Sequence, residues 1–339
     1  MRFIKLILAW IVITLLILPI GLLLFEKIVP RFMTPERRAF LRDVDHRVKP
    51  GEYGTNSDGI RTAKEAVEFH QEDTNVIFLG DSFVWGSFLP VDQTIPAQFE
   101  RLAQTQHPDR GINAANFAWV SSSPILSYRL LKDIGPKYNP NIVILCIDMT
   151  DFSDDILYRH RIDKVGIFKL SEVAPLTTLS LVKFGRLTGT YKYLVGMDYP
   201  RQMFYATNQP LEKSEPFMSY MMVSVNEIYE YTTNDLQARF LVVVLPRGFQ
   251  YSDRETPKNW EGKEYQALGP YVLEPFRYFD RIRPERPYPI YSLLDDFKQS
   301  NVFPTTWETD PHYNQAGAGI AALAIYRICL AGGCFGARE

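Results

Sequence analysis

The chain has 339 residues, 46% of them hydrophobic and 22% charged, an ordinary globular composition with enough apolar residues for one large domain or two small ones. Its 37 basic and 39 acidic residues leave a net charge of −2, which excludes the basic footprint of a nucleic-acid-binding domain. The three cysteines form no Cys/His cluster, so no metal or other cofactor is expected. Cys329 and Cys334 are close enough in sequence to pair in an oxidising compartment, and the sequence leaves that pairing open.

The first element is apolar. Leu6 to Phe25 contains no charged residue, and about 20 such residues cross a bilayer as a helix. The run exceeds a signal-peptide core of roughly 7–15 residues, and no Ala-x-Ala site follows, so residues 1-27 read as an uncleaved membrane anchor. Basic residues flank it on both sides (Arg2 and Lys5; Lys27, Arg31, Arg37 and Arg38), so charge does not decide its orientation. Residues 28-74, broken by Pro30, Pro35 and Pro50, read as a stalk and lead-in segment, and residues 75-339 as one soluble domain beside the membrane.

Within that domain, short apolar runs at Asn75–Leu79, Gly111–Phe117, Asn141–Ile147 and Arg239–Leu245 predict strands. Helices are expected at Thr94–Gln106, Ser127–Ile134, 225–238 and Gln315–Leu330, the last capped by Asn314. Alternating strands and helices, with strands apolar throughout, predict an α/β fold with a mostly parallel sheet covered on both faces. Sites in such sheets form beyond the C-terminal strand ends, which directs attention to the loops at Gly80, Asn116, Asp148 and Pro246. Residues 152-224, irregular and rich in Tyr, Phe and Met, read as an insertion serving as a lid or docking surface.

Two short motifs carry chemistry. In Gly80-Asp81-Ser82-Phe83 a serine stands where a strand turns into a helix, so its backbone N–H points toward a bound anion. In Asp310-Pro311-His312 the proline holds Asp310 extended, and residues two apart in extended chain face the same side. The carboxylate can then hold one imidazole nitrogen and leave the other to take a serine proton. The remaining histidines suit that task less. His46 lies in the stalk, His70 in a charged segment, His107 before a proline, and His160 between Arg159 and Arg161.

Taken in order, Asn56-Ser57-Asp58-Gly59-Ile60-Arg61, Phe78 to Gly86, Asn113-Ala114-Ala115-Asn116, Thr150 to Asp155 and Asp310 to Gly317 resemble the blocks of the SGNH/GDSL hydrolase superfamily, especially its membrane-anchored bacterial envelope members. The resemblance covers most of residues 50–328 outside the insertion. It implies a three-layer, flavodoxin-like fold. It also implies Ser82 as nucleophile, His312 as base and Asp310 as its orienting acid, with Asp81 and Asp151 supporting. The oxyanion hole would comprise the N–H groups of Ser82 and Ala115 and the hydroxyl of Thr150. Two positions depart from the pattern: Ala115 replaces the usual glycine, and Thr150 replaces an asparagine whose amide is an oxyanion donor. Losing one such donor costs on the order of 10²–10³ in rate. A slow esterase, a transferase with a rebuilt oxyanion hole and a chain that has lost catalysis all stay open.

The Asp-x-His spacing is similar to that of anchored proteins of envelope O-acetylation, as in the alginate system, rather than to the Asp-x-x-His of secreted lipases. The resemblance therefore implies a serine-dependent O-acyl (acetyl) transferase or esterase acting on a cell-envelope polysaccharide. Its expected place is the bacterial inner membrane, single-pass, with the soluble domain facing the periplasm or exterior, beside a membrane-bound O-acyltransferase. The other reading is a binding or assembly subunit of a membrane complex.

Overall fold

The computed structural model describes residues 2–33, 44, 48–196, 205–255 and 258–335. Residues 34–43 and 45–47 of the expected stalk, and 197–204 of the expected insertion, lie outside the described residues. In chain order the principal elements are α1 (Arg2–Ile28), β1 (Thr74–Leu79), α2 (Ser82–Trp85), α3 (Ile95–Gln106), β2 (Ile112–Asn116), α4 (Pro124–Ile134), β3 (Ile142–Ile147), α5 (Asp151–Ile162), α6 (Pro175–Thr188), α7 (Tyr191–Val195), α8 (Leu211–Asn234), β4 (Arg239–Val244), α9 (Glu274–Ile282), β5 (Ile290–Ser292), α10 (Leu294–Gln299) and α11 (Gln315–Ala331).

The strands pair in the order β2-β1-β3-β4-β5, and every pair is parallel. Successive residues of a strand face opposite sides, and here both sides are buried. Val76 and Phe78 of β1 enter one core with α3, α10 and α11, while Ile77 and Leu79 enter the other with α4, α8 and α9. That alternation into two apolar cores explains why the strands read as continuous apolar runs. The result is the expected three-layer α/β architecture. Strand order reverses between β1 and β3, which opens a crevice beyond their C-terminal ends.

The chain forms two compact units, residues 46–158 with 202–339 and residues 1–45 with 159–201. Two expected boundaries move. The lead-in residues from 48 onward belong to the larger unit instead of a stalk: Ile60 and Phe69 are buried in its core, and Asn56 Nδ2 donates to Tyr138 Oη at 2.8 Å. The expected insertion at 152–224 contracts to 159–201, because α8 starts fourteen residues before the expected helix, at Leu211 rather than at 225. Its buried positions Ser214, Met218, Met221, Met222, Val225, Ile228 and Thr232 recur at three- and four-residue spacing, which is a helical stripe written largely in methionine.

α11 begins as predicted. Asn314 Oδ1 accepts from the N–H groups of Ala316 and Gly317, satisfying donors that the first turn leaves orphaned. Its Nδ2 ties Pro304 and Thr306 carbonyls to the same corner. Asn314→Ala should cost about 1 kcal/mol and lower Tm by roughly 1–2 °C in a thermal melt of the full chain.

The smaller unit comprises α1, the end of α5, a 3-10 segment at Gly166–Glu172, α6 and α7. Val12–Phe32, most of it in α1, is long and apolar enough to cross a membrane. His160 is buried here, its Nδ1 at 2.9 Å from Tyr191 Oη, and burial lowers its pKa.

Candidate active site

Ser82 is placed by a strand, a glycine and a one-turn helix. β1 ends at Leu79, and Gly80 then passes so close to β3 that a Cβ there would lie 3.1 Å from the Cys146 carbonyl oxygen and 2.7 Å from a Val84 methyl. Asp81 caps α2, its Oδ1 accepting the Phe83 N–H at 2.9 Å. Ser82 is the first residue of that helix, where the N–H has no intrahelical partner. α2 stops after one turn at Gly86, whose φ of 79° is the left-handed conformation that glycine adopts without strain. The loop beyond is caged by the buried Arg61, which donates to the carbonyls of Trp85, Gly86 (2.8 Å) and Leu89 (2.5 Å) and lies over the Trp85 ring.

His312 arrives from the other end of the chain. Thr306 and Tyr313 form an antiparallel bridge, and the Trp307 N–H donates to the His312 carbonyl at 3.1 Å. The Tyr313 hydroxyl donates to the Pro246 carbonyl beyond β4, and its ring packs on Phe83 and Phe297. The histidine loop is thereby held across the C-terminal edge of the sheet.

The structure brings Ser82, His312 and Asp310 into one chain of hydrogen bonds. Ser82 Oγ is 2.7 Å from His312 Nε2. His312 Nδ1 is 2.5 Å from Asp310 Oδ1, which also accepts the His312 backbone N–H at 3.0 Å. The Phe83 ring lies 5.0 Å from the imidazole centroid and fixes its plane. Burial pushes the Asp310 carboxyl up, but the two hydrogen bonds and charge of His312, helped by Arg247, more than offset this and leave it below the ordinary carboxylate value. An ionised Asp310 keeps the Nδ1 proton in place, so Nε2 is the nitrogen free to accept.

Beneath this array is a buried polar cluster that sequence reading missed. Arg247, just past β4, donates to Asp148 through Nε (2.8 Å) and a terminal nitrogen (2.6 Å), and to Glu261 through the other (2.5 Å). Its guanidinium lies 4.7 Å from the centroid of the Phe83 ring. Asp81 also feels the Arg247 charge, and Asp151 joins the cluster through Asp81 and Asp148. Burial, reinforced by Asp148 and opposed by Arg247, raises Asp81 to about 7. Burial and the charges of Asp81 and Asp148 hold Asp151 well above the usual carboxylate range. The local signal for Asp148 and Arg247 was their position at C-terminal strand ends; nothing local pointed to Glu261.

A raised pKa in the folded state means that the folded chain binds that proton more tightly than the unfolded chain. Ionising Asp81 therefore costs stability, which should fall as pH rises from about 4 to about 7. Asp81→Asn keeps the oxygen that caps Phe83 and removes the titration. Its melting temperature, followed over that window, should vary less with pH than that of the wild type.

Two expected oxyanion donors are placed differently. The Thr150 hydroxyl donates to Asp148 Oδ1 at 2.5 Å, and the Thr150 N–H donates to the same oxygen at 2.6 Å. The reason is local: an aspartate two residues upstream closes an Asx turn and takes both donors. Asp151 accepts the Asp148 N–H at 2.8 Å, so its supporting role is to hold this turn. Ala115 lies inside β2, as the strand expected over Gly111–Phe117 places it, in register with Ile77 and wholly buried in the core, away from the nucleophile loop. The chain passes Gly80 at Trp119, whose N–H donates to the Gly80 carbonyl at 3.2 Å. Of the three expected donors, the Ser82 N–H alone lies at the nucleophile with no helical partner.

Fold and site together define an α/β protein with a five-stranded parallel sheet and a serine–histidine–aspartate array at its switch point. The solved structures it resembles include esterases and lipases, one of them a GDSL-like lipase from Parabacteroides merdae (13% identity, 78% of this chain and 97% of that one, TM-score 0.43). They include the psychrotrophic esterase EstA from Pseudoalteromonas sp. (11% identity, 77% of this chain and 98% of that one, TM-score 0.41) and a lipase/acylhydrolase from Enterococcus faecalis (9%, 76% and 96%, TM-score 0.43). A two-domain esterase active on acetylated mannans is similar over 80% of this chain and 53% of that one (11% identity, TM-score 0.42). No family model and no curated protein matches the sequence.

Proposed function

We propose that the chain is a serine-dependent O-acyl, in the first instance acetyl, transferase or esterase acting on a cell-envelope polysaccharide, held at the bacterial inner membrane by α1. The observation that carries it is the 2.7 Å approach of Ser82 Oγ to His312 Nε2, with the far nitrogen of that imidazole on Asp310. In this reading His312 takes the Ser82 proton as Oγ attacks an acyl carbonyl. The Ser82 N–H meets the oxyanion, and His312 returns the proton to the departing alcohol. Water or a sugar hydroxyl then gives its proton to His312, attacks the acyl-serine and regenerates Ser82.

Phe88 supports a substrate platform at this point. It is 71% exposed, its ring centroid lies 6.2 Å from that of His312, and it adopts a φ of 66° that a bulky side chain rarely takes. The Arg61 cage holds the loop that presents it. The acceptor class rests on the resemblance of the Asp310-x-His312 spacing and apolar N-terminus to envelope acetylation proteins. The test supplies an aryl acetate and an acetyl-free envelope oligosaccharide to the full chain in detergent. Acetylated oligosaccharide supports transfer, acetate alone supports hydrolysis, and neither product from folded protein refutes both.

The commitment of the Thr150 hydroxyl to Asp148 favours a second reading, a binding or assembly subunit whose site no longer turns over. Under that reading Ser82→Ala leaves envelope acetylation in cells intact, whereas deleting residues 159–201 abolishes it.

A further inference from the structure

The smaller unit presents an apolar face on α6. Thr178, Val182 and Gly185 of that helix are buried within the unit. Leu181, Phe184 and Leu187, at successive three-residue steps running away from that buried stripe, are 40%, 60% and 73% exposed. Tyr193 of α7 is exposed as well.

Two observations say what this face meets. The first is where α6 starts. Its N-cap, Ala174, has no side-chain acceptor, and its first residue is Pro175. The orphaned N–H groups of Leu176 and Thr177 are taken instead by the Glu26 carboxylate, at 3.0 and 2.6 Å, in the place that favours a negative charge. Glu26 is the residue directly after the uncharged run Leu6 to Phe25. The helix is thus tethered at the first charged residue after that uncharged run. The second observation is charge. From Val173 to Gly196 the charged residues are Lys183, Arg186 and Lys192, with no acid among them. α6 and α7 themselves carry no acid, and an apolar helix face beside lysines such as Lys183 and Lys192 is the pattern of a helix lying in a bilayer interface that contains anionic lipid. A protein partner would be met by a rim of mixed charge.

Resting on the reading of α1 as a membrane span, we propose that α6 lies in the headgroup layer of the same bilayer, with Leu181, Phe184 and Leu187 toward the acyl chains and Lys183 and Lys192 toward anionic headgroups. The segment read from sequence as a lid or docking surface is then, in its α6 part, a second membrane contact.

The test uses the full chain in vesicles of phosphatidylethanolamine and phosphatidylglycerol. An environment-sensitive fluorophore is attached in a Cys334→Ser background, since Cys146 and Cys329 are buried. It is placed in turn at Leu187→Cys on α6, Trp10→Cys in α1 and Val67→Cys on the exposed surface of the larger unit. With brominated acyl chains, the Leu187 and Trp10 probes should shift to the blue and lose most of their emission, while the Val67 probe stays water-like. A quenched Trp10 probe beside a water-like Leu187 probe overturns the interfacial helix and leaves the anchor standing. Two unquenched probes overturn both. A Leu187 probe that is water-like in pure lipid but shielded in native membranes assigns the face to a protein and also overturns the proposal.

Discussion

Ser82→Ala is expected to lower kcat/KM for an aryl acetate by roughly 10⁴–10⁶ and to abolish labelling by a serine-reactive phosphonate. The loss is chemical: the hydroxyl that is removed bonds His312 and approaches Asp81 at 3.4 Å, so the variant should melt close to the wild type. His312→Ala should fall by a similar factor, and the double variant should be no worse than either, because nucleophile and base act as one unit. Asp310→Asn should lose less, up to about 10⁴, since it disturbs the tautomer without removing a reacting group. Full activity in Ser82→Ala would end the serine mechanism. A wild type that is folded, unlabelled and inert would instead bring the assembly reading forward, with the Asp148-bound Thr150 hydroxyl as the physical reason.

Arg247→Met is expected to be the most damaging single substitution for stability. Asp148 and Glu261 are both buried, and Arg247 is the cation that bonds each of them. Removing one partner of a buried ion pair leaves an uncompensated charge and costs about 3–5 kcal/mol, a fall in Tm of roughly 4–7 °C at this chain length. Burial already raises the Glu261 carboxyl, and Arg247 is what opposes that rise. Without the arginine, the folded chain holds the Glu261 proton more tightly still. The penalty therefore operates above the unfolded carboxylate value and should shrink as pH falls from about 7 to about 5. Arg247→Lys keeps the charge but not the fork that spans two carboxylates, and should fall between wild type and Arg247→Met. Thermal melts of the three forms at both pH values check this; a Met variant within 1 °C of wild type would show that the cluster contributes little.

Activity should suffer in the same variant for a related reason. The guanidinium packs on the Phe83 ring, and that ring packs on the His312 imidazole. Loosening Phe83 loosens the plane of the base.

What could be read without coordinates was what short-range pattern dictates. The continuous apolar runs of β1, β3 and β4 announce strands buried on both faces, and all three fall within one or two residues of their expected bounds. Gly80-Asp81-Ser82 announces a strand-to-helix turn because the glycine, cap and first helical residue are adjacent in sequence. Asp310-Pro311-His312 places its carboxylate on the imidazole locally too, but through a bend in which Asp310 Oδ1 also accepts the His312 N–H, where the sequence reading expected extended backbone. The Asn314 cap is local in the same way. The Asx turn at Asp148 is local too, and it was legible in Asp148-x-Thr150, but competed with a resemblance that assigned the hydroxyl elsewhere.

Contacts between distant residues were decided only in three dimensions. Asp148 and Arg247 stand 99 residues apart and meet because β3 and β4 are neighbours in register. β5 is three residues long and becomes a strand by pairing with β4, not by its own propensity. Ala115 falls inside the strand expected over Gly111–Phe117, and its pairing opposite Ile77 of β1 is what separates it from the oxyanion role that the resemblance implied. The 2.7 Å contact between Ser82 and His312 spans 230 residues. Each half of that contact is prepared by local backbone geometry, and the packing of α11 and the histidine loop over the end of the sheet brings the halves together.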